Sequence, residues 1–330
     1  MWALNSGCLP AILFDVVKKM MTKPLLLVLC HLSDEHQAQI AQHYTVLYRP
    51  TPHPKEQLAA AHPDVQLVLT TGIHGIAPEV IDAMPKLQLI CTLGVGNENV
   101  AADHARKRGI VLANGHGTNA EAVADHAMAL LLAIVRNVVF LDREVRLGRW
   151  REELPMPMHF SGKRLGLVGM GDICQRVAKR AQAFDLQIAY YSRSPRPHLQ
   201  YPYISDVLTL AQQSDYLIIA VPGGPDTRHL INDEVLQALG PEGYLVNVAR
   251  GSVTDTHALA NALQQGLIAG AALDVYESEP EPPKPLIGLD NVILTPHVGG
   301  SSPLAEQRTV DQFLANAKGH FSGQGPVSPF

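Results

Sequence analysis

Three side chains in the last third of the sequence have types and settings that suit one reaction. Arg250 lies in Asn247-Val248-Ala249-Arg250-Gly251, Glu279 in Leu273-Asp274-Val275-Tyr276-Glu277-Ser278-Glu279-Pro280, and His297 in Thr295-Pro296-His297-Val298-Gly299-Gly300. A guanidinium grips a carboxylate through two parallel hydrogen bonds. An imidazolium gives a carbonyl oxygen its proton, and a neighbouring carboxylate keeps that imidazole protonated. Together they suit the reduction of a 2-keto acid. Each follows a short apolar run that reads as a buried strand, so all three are expected along the carboxyl edge of one parallel sheet, where open α/β sheets bind ligands. Singly, each has an ordinary structural reading: a strand-end cap, a solvated carboxylate before a proline, a hydrogen-bonded histidine. The ordered set on one edge carries the argument.

A second pattern points to a dinucleotide. Gly169-Met170-Gly171-Asp172-Ile173-Cys174 follows an apolar run and opens an amphipathic one, the strand–turn–helix context that a G-x-G-x-x-G fingerprint requires. The first glycine allows the tight turn, and the second lets a pyrophosphate approach the N–H groups of the helix start. Cys174 stands where the third glycine would be, which loosens the match. The end of the next strand reads Tyr191-Ser192-Arg193-Ser194, without a carboxylate for a ribose 2′-hydroxyl. Arg193 between two serines offers a charge and donors to a 2′-phosphate. NADP(H) is therefore the expected cofactor, with NAD(H) as the alternative.

The elements that must position these residues are legible as alternating apolar runs and helix-compatible stretches. Runs at Leu25–Leu29, Val65–Leu69, Leu87–Cys91 and Ile110–Leu112 form a first α/β series. Ala120 to Val139 reads as one long connecting helix capped by Thr118 or Asn119. The second series has strands at Arg164–Val168, Gln187–Tyr191, Tyr216–Ala220, Tyr244–Val248, Ala269–Leu273 and Val292–Leu294, with helices at Ile173–Phe184 and Thr256–Gln265. A last helix, Pro303 to Phe321, is expected to return to the first domain. The expected fold is α/β, with two Rossmann-like domains, doubly wound parallel sheets and a cleft between them. Residues 23–117 with 299–330 form a discontinuous substrate-binding domain, and 118–298 the dinucleotide-binding domain. Residues 1–22 read as an extension, either a disordered arm or an upstream translation artefact, with the native start at Met20 or Met21.

Length and composition bound the rest. A chain of 330 residues accommodates two domains, each with its own core. Net charge is −5 with 17% charged residues and no basic blocks, so no nucleic-acid partner is expected. Cys8, Cys30, Cys91 and Cys174 are scattered without C-x-x-C pairing, which argues against a zinc site or a disulfide framework and fits a reducing cytoplasm. The first twenty residues make a poor signal peptide, and no run reaches the roughly 18 apolar residues of a membrane span. No metal and no membrane partner are expected.

With these segments in order, the chain from Lys23 onward resembles the D-isomer-specific 2-hydroxyacid dehydrogenase family. The resemblance rests on Leu93-Gly94-Val95-Gly96-Asn97-Glu98-Asn99-Val100, Glu121-Ala122-Val123-Ala124-Asp125-His126, the glycine loop, Val221-Pro222-Gly223-Gly224-Pro225-Asp226-Thr227 and the three motifs above. Within that family the chain is most similar to NADPH-dependent glyoxylate/hydroxypyruvate reductases, including hydroxyphenylpyruvate-reductase-like members. The resemblance implies that Arg250 binds the substrate, that His297 is the acid and base, and that Glu279, directly before Pro280, is its partner rather than Glu277. It implies substrate contacts at Gly72, Ile73, Val95 and Gly96. It also implies cofactor contacts at Thr118, Gly169, Gly171, Asp172, Ile173, Ser192, Arg193, Ser194, Val221, Pro222, Thr227, Val248, Ala249, Asp274, His297 and Gly299. A homodimer built through the cofactor domain is implied too, with the 120–139 helix and the Trp150–Met158 loop near the interface. Two departures from the family pattern stand out: Gly115-His116-Gly117-Thr118 before the connecting helix, and Gly223-Gly224. Glyoxylate and hydroxypyruvate are the expected small 2-keto acid substrates. Alternatives are a bulkier keto acid such as 2-ketogluconate or a phenylpyruvate, and a cofactor-sensing corepressor-like binding protein on the same fold. A formate-dehydrogenase-like reading is disfavoured because the resemblance puts an amide there at the place of Glu279.

Overall fold

The computed structural model describes residues 23–330; the expectations for residues 1–22 lie outside the described residues. Two compact units divide the chain, Met1–Thr118 with Glu306–Phe330 and Asn119–Ala305.

The first unit is built on a five-stranded parallel sheet in the order β2-β1-β3-β4-β5. Its strands are β1 (Leu25–Val28), β2 (Thr45–Tyr48), β3 (Leu67–Thr71), β4 (Leu89–Leu93) and β5 (Val111–Ala113), joined through α1 (Asp34–Ala41), α2 (Pro54–Ala60), α3 (Pro78–Asp82) and α4 (Ala102–Lys107). Alternation sends Leu27, Val68, Ile90 and Leu112 to one face and Leu26, Leu67, Leu69 and Cys91 to the other, and both faces are buried. That two-sided burial is why the runs read as continuously apolar.

Three sequence expectations shift here. β3 and β4 begin two residues later than their apolar runs, because Val65 and Leu87 close tight turns onto His62 and Met84 and enter the core from outside the ladder. β2 was hidden in a helix-compatible stretch: as an edge strand it is only half-buried, and its apolar run is just Val46-Leu47-Tyr48.

The second unit carries a seven-stranded sheet, order β12-β11-β10-β9-β6-β7-β8, in which neighbouring strands run parallel. The strands are β6 (Arg164–Val168), β7 (Gln187–Tyr191), β8 (Tyr203–Ile204), β9 (Tyr216–Ile219), β10 (Tyr244–Asn247), β11 (Gly270–Leu273) and β12 (Val292–Leu294). The long connecting helix that precedes them is broken in two: α5 (Ala120–Val135) and α6 (Val138–Arg146). The helices between strands are α7 (Asp172–Gln182), α8 (Val207–Gln212), α9 (Asp233–Leu239) and α10 (Thr256–Gln264), and α11 (Pro303–Phe321) follows the sheet. Strand order reverses between β6 and β9, the switch point where such sheets bind dinucleotides.

Asn137, between α5 and α6, adopts φ 57°, a left-handed conformation that asparagine tolerates. The apolar periodicity runs through the break, so the pattern alone did not show it. Asn119 holds the N-cap position of α5 without a side-chain cap bond. Thr118 instead donates its hydroxyl to Gly115 O and accepts from Thr309 Oγ1. Among the described residues no single helix is long and apolar enough to cross a membrane.

Candidate active site

Arg250, Glu279 and His297 follow the carboxyl ends of β10, β11 and β12, three strands adjacent in the sheet. His297 Nδ1 lies 2.7 Å from Glu279 Oε2, which leaves Nε2 as the ring nitrogen without a carboxylate partner among the described residues. The Tyr276 N–H donates to Glu279 Oε1 at 2.7 Å, so both carboxylate oxygens are held. The hydrogen bond that His297 donates to Glu279 raises its pKa against the opposing cost of burial, with the charges of Glu279 and Asp274 adding and that of Arg250 subtracting. Burial alone would raise the Glu279 carboxyl, but the bonds from His297 and the Tyr276 amide, with the positive charges of His297 and Arg250, hold it below the usual carboxylate range. Arg250 is thus near enough for its charge to act on both partners.

The local backbone explains how Arg250 is aimed. Asn247 is fully buried, and its side chain accepts from the Ala249 N–H while donating to Arg250 O and Thr254 Oγ1. Arg250 Nη1 donates to Ala249 O at 2.6 Å. Any side chain on Gly251 would overlap the Tyr276 backbone, so that glycine lets the Arg250 loop pack on the Glu279 loop. A Cβ on Gly223 would stand 2.9 Å from Arg250 Cγ. The glycine at 223 therefore leaves room for the stem of Arg250.

Glu277, only two residues from Glu279, has a different place. It accepts His229 Nε2 at 2.8 Å on one oxygen and the Thr256 N–H and hydroxyl on the other, which ties it to the first residue of α10. Its carboxylate is spent on structure.

The glycine loop sits at the switch point. Gly169 has φ +107°, its N–H donates to Tyr191 O at 2.8 Å, and a Cβ there would stand 2.7 Å from Ala220 O, so β6, β7 and β9 close around it. Gly171 is the N-cap of α7 and supplies no side-chain cap; a Cβ on it would meet nothing within 4 Å. The start of α7 thus has no side-chain cap, and the space beside Gly171 is open, the setting in which a helix N-terminus can receive a dinucleotide pyrophosphate. The nicotinamide dinucleotide fits the residues present. Beside this loop, Ser192 Oγ donates to Ser194 O at 2.6 Å, bending the segment so that Arg193 is exposed. Thr227 Oγ1 donates to Pro222 O at 2.7 Å and shapes the turn after β9. Val248 and Ala249 are buried and Val221 is half-buried. Thr118 lies in the other unit, with its hydroxyl committed to Gly115 and Thr309.

Asp274 is 3% exposed, and its oxygens are met by protein donors: Thr295 Oγ1 at 2.6 Å, the Val298 N–H at 3.0 Å and the Gly299 N–H at 2.7 Å. Burial pushes this carboxyl up, and those bonds together with His126 outweigh it and hold it below its ordinary value. Sequence reasoning placed Asp274 and Gly299 with the cofactor; the carboxylate is also the strut of the His297 loop.

In the first unit, Gly72 and Ile73 follow β3 while Val95 and Gly96 follow β4, and the two loops touch: any side chain on Gly72 would overlap the Gly96 carbonyl. The carbonyls of Gly72, Ile73, His74 and Gly75 are turned into the protein by the Asn99 N–H, Asn99 Nδ2, Gln57 Nε2 and Thr70 Oγ1. The N–H groups of Gly72, Ile73, Val95 and Gly96 have no acceptor among the described residues. Sequence reasoning missed Asn99 and Gln57, whose bonds to backbone carbonyls leave no spacing signature.

Comparison with known proteins agrees with this architecture. Residues 128–299 match the family described as D-isomer specific 2-hydroxyacid dehydrogenase, NAD binding domain. A hydroxyphenylpyruvate reductase from Plectranthus scutellarioides is 37% identical over 305 residues, 92% of this chain and 97% of that protein. A 2-ketogluconate reductase from Gluconobacter oxydans is 36% identical over 275 residues, covering 83% and 89%. The crystal structure of an NADPH-dependent glyoxylate/hydroxypyruvate reductase from Sinorhizobium meliloti, in complex with NADP and malonate, superimposes with a TM-score of 0.86 at 34% identity, covering 94% of this chain and 97% of that one. With a dinucleotide switch point, an Arg–Glu–His edge and relatives of this length and identity, the chain belongs to the D-isomer-specific 2-hydroxyacid dehydrogenase family, and is an NAD(P)-dependent oxidoreductase that reduces 2-keto acids.

Proposed function

We propose that this enzyme reduces glyoxylate and hydroxypyruvate to D-2-hydroxy acids with NADPH, using His297 as the proton donor. The observation that carries the reading is the 2.7 Å pair of His297 Nδ1 and Glu279 Oε2. It leaves Nε2 for a carbonyl oxygen and raises the pKa of the ring that must be charged to donate. Arg250 binds the substrate carboxylate and steadies the developing alkoxide; charge forms there only in the transition state, so a donor aimed at it lowers the barrier selectively. The unpartnered amides of Gly72, Ile73, Val95 and Gly96 are donors suited to a carboxylate, which supports their reading as substrate contacts. The nicotinamide, when bound, supplies the hydride.

The preference for NADPH is supported by the Ser192-Arg193-Ser194 turn, which holds an exposed guanidinium and hydroxyls and no carboxylate. The uncapped start of α7 and the contacts of Val221, Pro222, Thr227, Val248, Ala249 and Gly299 complete the proposed dinucleotide site. A homodimer in the cytoplasm is the proposed setting. Supporting the dimer, α6 and the segment after it expose Val138, Val139, Leu147, Trp150 and Met156, the last at 91%. Reduction of a bulkier keto acid is the second substrate reading, supported by relatives that act under the names hydroxyphenylpyruvate reductase and 2-ketogluconate reductase. The test is the initial rate of NADPH and, separately, NADH oxidation with hydroxypyruvate and glyoxylate. Turnover that strongly favours NADPH is expected. Turnover with NADH alone would overturn the cofactor assignment and leave the reductase, and turnover only with phenylpyruvates or 2-ketogluconate would move the substrate.

A further inference from the structure

His297 has φ 53°, a left-handed backbone that a histidine holds only when its surroundings over-determine it. The restraints are all within reach of Asp274. The His297 N–H donates to Asp274 O at 2.9 Å, the next two amides donate to the Asp274 carboxylate, and Thr295 before it donates its hydroxyl to Oδ1 at 2.6 Å. One further side chain reaches this corner from α5: His126 Nε2 lies 3.0 Å from Thr295 Oγ1 and 3.4 Å from Asp274 Oδ1.

The hydrogens along this series of contacts can be assigned. A carboxylate only accepts, so the Thr295 hydroxyl gives its proton to Asp274 and must itself accept from His126. His126 Nε2 therefore carries a hydrogen and locks the hydroxyl rotor toward Asp274. A Cβ on Gly299 would meet both partners, 2.8 Å from Asp274 Oδ2 and 3.1 Å from His126 Cδ2, so the imidazole also walls the turn that follows His297.

We infer that His126 is a positioning residue for the proton donor, fixing the His297 loop through Thr295 and Asp274. The inference rests on the reading of His297 as the acid. His126 acts by keeping the imidazole of His297 on Glu279; without it Thr295 is free to turn, Asp274 loses a donor, and the strained loop gains alternatives. The charged and titratable groups acting on His297 are Glu279 and Asp274, which raise its pKa, and Arg250, which lowers it; Tyr276 lies between Asp274 and Glu279. A loosened His297–Glu279 pair titrates at lower pH.

The test compares wild type with His126→Leu, His126→Gln, Thr295→Val and the double variant His126→Leu/Thr295→Val. The readouts are kcat for NADPH-driven hydroxypyruvate reduction across pH, NADPH binding by fluorescence, and the His297 ring titration by NMR. His126→Leu and Thr295→Val are each expected to lower kcat by about 10- to 100-fold, to move the His297 titration and the alkaline limb to lower pH, and to change NADPH affinity far less than kcat. The double variant should be no worse than either single one, since both break the same series of bonds. His126→Gln, whose Nε2 donates at the same reach, should recover most of the rate. A wild-type kcat and titration in His126→Leu, multiplicative losses in the double variant, or a glutamine variant that binds NADPH yet is as impaired as the leucine one would each overturn the inference. If His126→Leu does not fold, Thr295→Val and His126→Gln decide. If wild type binds NADPH but reduces no keto acid, the functional reading fails, and the His297 titration in the variants still decides the positioning role.

Discussion

The corner around His297 and the start of α7 follow opposite rules. Around His297 the donors and acceptors are spent on one another: Glu279 is held at both oxygens, Asp274 takes Thr295, Val298 and Gly299, and Tyr276 bonds Thr295 O with its hydroxyl at 2.6 Å. At α7 the opposite holds, because Gly171 gives its helix no side-chain cap and leaves the space beside it open. A proton donor must stand in one place, and a fully satisfied network supplies that. A cofactor site must keep its donors unsatisfied until the ligand arrives. The two glutamates of the β11 loop have separate partners: Glu277 accepts from Thr256, the first residue of α10, and Glu279 pairs with His297.

The largest effect expected from breaking this contrast is at the saturated corner. His297→Gln should lower kcat for keto-acid reduction by about 10²- to 10⁴-fold, the range for a lost general acid, while fluorescence titration shows NADPH binding intact. A variant with near-normal turnover at neutral pH would mean another acid. Arg193→Ala acts on the open side. Loss of a charge-assisted phosphate contact should raise the KM for NADPH roughly 10- to 100-fold and leave the KM for NADH nearly unchanged; equal losses for both cofactors would remove the 2′-phosphate assignment. Glu277→Gln is the smallest. It should cost about 1 kcal/mol of stability through a weakened helix start, read as a lowered Tm, with the alkaline limb of the rate profile unmoved. A shifted limb would show that Glu277 shares the role given to Glu279.

Most of what positions the site was legible because it is built from strands buried on both faces. β6, β7 and β12 coincide with their apolar runs, and Arg250, Glu279 and His297 fall after β10, β11 and β12 as their motifs suggested. The misses have physical causes. The break at Asn137 is a backbone event inside a continuing apolar pattern, and β2 is a short edge strand whose residues are only partly buried. His126 was visible in the Glu121–His126 stretch, but its partner Thr295 is 169 positions away, and no local spacing connects them. Of the two cap candidates, Asn119 takes the position and Thr118 spends its hydroxyl on Gly115 and Thr309, a long-range bond that composition does not reveal.

The central claim is that an imidazolium at His297, held charged by Glu279, delivers the proton. Its most direct test is the pH dependence of keto-acid reduction in wild type and Glu279→Gln, with 2-hydroxy-acid oxidation run in parallel. The hydrogen bond to Glu279 raises the His297 pKa, so reduction is complete at low pH and is lost as pH rises through that raised value, whereas oxidation, which needs neutral imidazole, appears over the same interval. Removing the carboxylate lowers the pKa, and both limbs should move to lower pH in Glu279→Gln. Limbs that stay where wild type has them would contradict the pairing as the source of the acid.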